Sequence, residues 1–131
     1  MLKTSTNSVR IYYPKFDREQ LIQKLKERLD ALEEKLPLQL VVLFGSYAKG
    51  NYTVASDIDL LIVHKGEERK DAFAIVKKIF SIPLLEPHVY SEAQYEKLKG
   101  NISKMIETGV VLFSSLSTDL EIAGEKHALN V

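Results

Sequence analysis

Apolar residues recur along this chain with two different periods, and those periods define most of its elements. Leu21, Leu25, Leu29, Leu32 and Leu36 follow one another at helical spacing, with Ile22 beside them and charges between. Asp17-Arg18-Glu19-Gln20 precedes them as a capping box and Pro37 stops them, which predicts a long first helix. Leu38 to Phe44 and Asp57 to Val63 are short apolar runs rich in β-branched residues and read as buried strands. Between them, Ser46 to Gly50 is predicted as a short helix and Asn51 to Ser56 as a connector. A second long helix is expected from about Glu67 to Phe80, with Ala72, Ile75, Val76 and Ile79 as its buried stripe. Glu67 and Glu68 would then sit in its first turn and Lys77 and Lys78 in its last, as the helix dipole favours.

Leu84 to Tyr90 is predicted as a third strand, and Pro87, which has no N–H to give, confines it to a sheet edge or a bulge. Ser91-Glu92-Ala93-Gln94 is a second capping box. It opens a helix expected to end near Lys99, with Gly100-Asn101 as a break and a short helix from Ile102 to Thr108 beyond it. Val110 to Phe113 is a last short strand. Val9 to Tyr13 reads as a short strand or an arm before Pro14, and a Ser/Thr-rich tail follows Ser114. The class is α/β (α+β): one domain over 1–131, its core about 16–113, with a mixed sheet of three to four strands flanked by helices.

Composition removes several functions. The chain has 131 residues, with 18 basic and 18 acidic side chains. That balance argues against a mainly electrostatic grip on nucleic acid. With no cysteine there is no thiol nucleophile, zinc-thiolate site or disulfide framework. No apolar run approaches the length of a membrane span and no charged-then-apolar leader is seen, so a cytoplasmic location is expected.

The candidate chemistry lies where the first two strands meet their turns. Gly45-Ser46 closes the first apolar run, and Asp57-Ile58-Asp59 opens the second. Residues i and i+2 of a strand face one side, so Asp57 and Asp59 point together, roughly 6–7 Å apart along the backbone. Two carboxylates on one face suit Mg²⁺. A Gly-Ser turn opening a helix, with Ser46 as its cap, suits a phosphate. The same residues have plainer readings, as a favoured helix cap and as strand-edge aspartates in water, but aspartate on both sides of Ile58 opposes strand propensity. Gly45 to Gly50 mimics half of a P-loop, yet Asn51-Tyr52 stands where Lys-Ser/Thr would be needed. Tyr47 and Tyr52 flank this turn, as partners for a base or as plain packing, with packing favoured.

Leu43-Phe44-Gly45-Ser46-Tyr47-Ala48-Lys49-Gly50 followed by Ser56-Asp57-Ile58-Asp59-Leu60-Leu61 resembles the signature of the DNA polymerase beta-like nucleotidyltransferase superfamily, and most of all its minimal nucleotidyltransferases. The resemblance runs from about Phe16 to Phe113 and implies the polymerase beta-like nucleotidyltransferase fold. It implies that Asp57 and Asp59 hold two Mg²⁺ ions on a nucleoside triphosphate such as ATP, that Gly45 and Ser46 receive the phosphates, and that Lys49 stands where the family often has a basic residue. It places a third carboxylate at Glu86, which would complete a metal site and accept the proton of an attacking hydroxyl. Glu86 is one methylene longer than the usual aspartate and is followed by Pro87. His88 shares a face with Glu86, either near phosphate or as a satisfied polar residue at a strand end.

The reaction so implied moves AMP from ATP to a hydroxyl. Small chains of this kind commonly pair with all-helical HEPN proteins, as antitoxins that move AMP onto a toxin tyrosine. Two other readings stay open: a partner-neutralising module with a vestigial metal site, and a transferase for a small molecule whose pocket is built across a homo-oligomer.

Overall fold

The computed structural model describes residues 17–53 and 56–115. In chain order it contains α1 (Arg18–Lys35), β1 (Leu38–Phe44), α2 (Ser46–Lys49), β2 (Ile58–His64), α3 (Ala72–Phe80), β3 (Leu85–Ser91), α4 (Glu92–Met105) and β4 (Val110–Ser114). The arm expected at Val9 to Tyr13 and nearly all of the tail lie outside the described residues. The four strands form one mixed sheet in the order β3-β2-β1-β4. β1 runs antiparallel to β2 and to β4, while β2 and β3 are parallel and joined through α3. The edge position deduced for Pro87 is observed, since β3 is an outer strand.

The strand alternation sorts the core into two clusters. Val41, Leu43, Leu60, Ile62 and Leu85 face one side, where α1 brings Leu21, Leu25, Leu29 and Leu32 and α3 brings Ala72, Val76 and Phe80. Leu40, Val42, Phe44, Leu61 and Val63 face the other, against Tyr95, Ile102 and Ile106 in and just after α4. Both capping boxes form: the Asp17 side chain accepts from Gln20 N–H and the Ser91 side chain from Gln94 N–H.

Several boundaries differ from those expected, each for a local reason. The second long helix begins at Ala72, so Glu67 and Glu68 lie before it and outside its first turn, while Lys77 and Lys78 do occupy its last turn. Gly66 turns the chain at φ 85°, and Arg69 ties Asp71 and the carbonyl of Lys35 together, holding the stretch as a turn. Gly100-Asn101 does not break the helix after Ser91. α4 is continuous because Tyr95 and Ile102, two turns apart on one buried stripe, anchor both sides of a glycine whose propensity cost is only about 1 kcal/mol. β2 begins at Ile58 and leaves Asp57 one residue outside it. β3 begins at Leu85, because Leu84 takes φ 66°, which no strand accommodates.

Candidate active site

The site lies at the junction of three elements, the end of β1, the start of β2 and the start of β3. Antiparallel pairing sets Phe44 opposite Asp59, and parallel pairing sets Glu86 beside Asp59. Gly45, directly after Phe44, has φ 79° and ψ −155°, a conformation essentially closed to residues with a side chain. The need for glycine is double here. A Cβ built on Gly45 would collide with the Asp59 carboxylate, so the turn and the acid pack directly against each other.

The other oxygen of that carboxylate, Oδ1, lies 3.3 Å from His88 Nε2. Both side chains are partly open, 27% exposed for Asp59 and 33% for His88. The His88 ring meets the edge of Phe44 at 5.0 Å between centroids and 60° between planes. Ile58 is buried in the core between Asp57, which is exposed, and Asp59, which is half-buried. Glu86 is exposed in register with Asp59.

Gly45, rather than Ser46, is the N-cap of α2, and no side chain caps it. Ser46 is the first helical residue, because the Gly45 carbonyl already accepts from Lys49 N–H at 3.1 Å. The expectation that Ser46 caps this helix is therefore corrected. α2 is a single turn, too short to carry a helix dipole of consequence, so anion recognition here would fall to individual N–H groups and to Ser46 Oγ. Lys49 is exposed at its end, and Gly50 closes it at φ 86°.

Tyr47 and Tyr52 stack on each other, 4.1 Å apart and within 8° of parallel. This is the packing arrangement of the plainer reading. Burial, and secondarily Tyr52, raise the Tyr47 phenol above its usual range, which keeps it neutral. Arg18 fastens this pair to α1: its N–H donates to Tyr52 Oη and its Nε to the carbonyl of Ala48, each at 3.1 Å. Neither this brace nor the His88–Asp59 contact was foreseen. The facing of His88 and Asp59 depends on the parallel register of β2 and β3, which no local pattern states.

The donor set suits a hard divalent cation. Asp57, Asp59 and Glu86 offer only oxygen, and Asp59 is partly open. Among the described residues no three acidic or histidine side chains converge tightly enough to enclose an ion. Mg²⁺ does not need such a cage, since it is commonly held by one or two carboxylates together with substrate phosphates. A cavity of about 220 Å³ opens elsewhere, near the far end of β2, lined by His64, Arg69, Phe73, Val89 and Gln94 among others. It shares no residue with the carboxylates.

A glycine turn thus packs on a strand aspartate in an α/β domain whose mixed sheet carries helices on both faces. Residues 22–113, well over half of the chain, match the nucleotidyltransferase domain family, and the chain belongs to that family. A stretch of 41 residues is 51% identical to an inferred protein adenylyltransferase of Methanocaldococcus jannaschii. That stretch is 30% of this chain and spans 41% of the relative's length. An inferred nucleotidyltransferase from Sulfolobus solfataricus has a similar fold, with a TM-score of 0.52 and 24% identity over 76% of this chain and 85% of that one. So does a chain of the complex of tri-AMPylated Shewanella oneidensis HEPN toxin with MNT antitoxin, with a TM-score of 0.51 and 18% identity over 83% of this chain and 86% of that one. Among the described residues no helix is long and apolar enough to cross a membrane.

Proposed function

We propose that this protein transfers AMP from ATP to a hydroxyl acceptor, a tyrosine on an all-helical HEPN-type partner, and that it acts as the antitoxin of that pair. The observation that carries the reading is the packing of the Asp59 carboxylate against Gly45, which joins the cation side of the family motif to its phosphate side. The adenylyltransferase relative supports AMP as the group moved, and the AMPylated toxin complex supports the partner.

In this reading Gly45 and Ser46 receive the triphosphate through the backbone and Ser46 Oγ, and Lys49 offsets its charge. Asp57 and Asp59 would hold Mg²⁺, two ions in the family's manner, with Glu86 completing the set. Bound there, the cation would supply charge neutralisation at the reacting phosphate. The acceptor oxygen forms a bond to the α-phosphorus as the bond to pyrophosphate breaks, and the hydroxyl proton passes to Glu86. His88 keeps Asp59 turned toward the site through Oδ1. Catalysis is then mostly positioning and charge compensation.

The test uses ATP labelled at the α-phosphate and the full chain with a HEPN-type partner. Mg²⁺-dependent label on the partner is expected, and its loss in Asp57→Asn or Asp59→Asn with the fold retained. A double variant that labels as well as the wild type would overturn the reading.

A further inference from the structure

One residue at this site carries two costs at once. Leu84 has φ 66°, a left-handed conformation that disfavours any residue but glycine, asparagine or aspartate. It is also 50% exposed, the most exposed of the large apolar side chains among the described residues. Its backbone is firmly fixed. Ile82 and Leu85 on either side are buried, and the Leu84 carbonyl accepts from Ile58 N–H at 2.8 Å. Lys77 Nζ also holds the carbonyl of Leu85 at 2.9 Å. Ile58 is the residue between the two aspartates, so this turn sets where β2, and with it Asp57 and Asp59, begins. The backbone task alone would be performed better by glycine or asparagine, which adopt this conformation at less cost. A leucine there calls for a use of its side chain.

The sheet order says what that use is. Gly45, Ser46 and Lys49 follow β1, Asp57 and Asp59 bracket the first residue of β2, and Leu84 immediately precedes β3. The phosphate turn and Leu84 thus lie on opposite flanks of the aspartates, separated by two strand spacings, roughly 10 Å. Glu86, the proton acceptor of the reaction proposed above, is two residues further on, inside β3. Leu84 therefore stands on the flank from which the acceptor arrives.

We propose that Leu84 is the specificity-determining contact for an aromatic hydroxyl acceptor, its exposed side chain packing on the ring whose oxygen attacks. The inference rests on the transfer reaction of the preceding section. An aliphatic platform beside a carboxylate selects a phenol over an alkyl hydroxyl, because only the phenol brings apolar surface to bury.

The test compares the wild type with Leu84→Gly and Leu84→Asn in the full chain. The acceptor probes are N-acetyl-tyrosinamide and N-acetyl-serinamide with α-labelled ATP, and ATP binding is measured separately by calorimetry with Mg²⁺. The wild type should prefer the tyrosine probe by about tenfold or more, the scale of one apolar contact. Both variants should bring the two probes near parity through the acceptor KM, with ATP affinity unchanged. Leu84→Gly should also melt about 2–5 °C higher, since it relieves the strained backbone. A tyrosine preference that survives in both variants overturns the inference. So does a wild type that binds Mg·ATP but shows no tyrosine preference, or labels neither probe. A wild type without metal-dependent ATP binding strikes the transfer reading itself, and this inference with it.

Discussion

The two faces of the sheet are covered unequally. Under α1 and α3 the facing strand residues Val41, Leu43, Leu60 and Ile62 are apolar and fully buried. On the opposite face α4 covers Leu61 and Val63 and stops there, leaving the Asp59 end of β2 partly open, with Glu86 and His88 beside it. The same strand thus serves packing along one side and chemistry at one end of the other. The contrast separates two kinds of free energy. Burial on the closed face holds the fold, and half-open carboxylates on the other face contribute little to stability and keep lone pairs available.

Substitutions can split that contrast. The largest effect on activity is expected from Asp59→Asn, a loss of about a thousandfold or more in label transfer, on the scale of removing a principal electrostatic group. Its melting temperature should stay within a few degrees of the wild type, and a collapse of the fold would mean that Asp59 is structural. Leu25→Ala is the mirror case. A destabilisation of about 2–5 kcal/mol is expected in urea unfolding, with ATP affinity retained at temperatures where the variant is folded.

Gly45→Ala sits on the boundary between the two regions. It must strain a backbone at φ 79° and push the Asp59 carboxylate away, so a stability loss of about 1–3 kcal/mol should accompany a fall in transfer. If stability falls and transfer does not, the packing of turn on acid is not functional. Glu86→Gln should lower turnover by about a hundredfold while ATP binding holds, as for a lost proton acceptor, and unchanged turnover removes Glu86 from the site.

The smallest effect belongs to Asp71, far from the chemistry. Its hydrogen bond from Arg69 holds its carboxyl below the usual range. A depressed folded value stabilises the protein above the unfolded value and ceases to do so as pH falls through the folded one. Asp71→Asn should therefore lower the melting temperature slightly at pH 7, and the difference should shrink as the pH is lowered below about 4.

The four strands as elements, both capping boxes and the β1 boundaries are legible in the sequence because each is written locally, in an apolar run or a four-residue cap. The family motif is legible for the same reason, since Gly45-Ser46 and Asp57-Ile58-Asp59 adjoin strands that periodicity alone identifies. What escaped was non-local. The facing of His88 and Asp59 depends on strand register, the Arg18 brace links residues 30 and 34 positions apart, and the continuity of α4 across Gly100 comes from Tyr95 and Ile102 docking on the sheet. The start of α3 was misplaced because Glu67 and Glu68 suit a helix terminus electrostatically, while the Arg69–Asp71 fork decides otherwise.

The antiparallel pairing of β1 with β2 has a consequence for how such proteins diversify. Because the chain leaves one strand and re-enters its neighbour at the same end, the two halves of the motif meet whatever length of chain runs between Gly50 and Ser56. Each doubling of that excursion costs only about 0.6 kcal/mol in closure entropy. The excursion is thus a natural port for inserted segments that bring new recognition to the rim without disturbing the chemistry beneath.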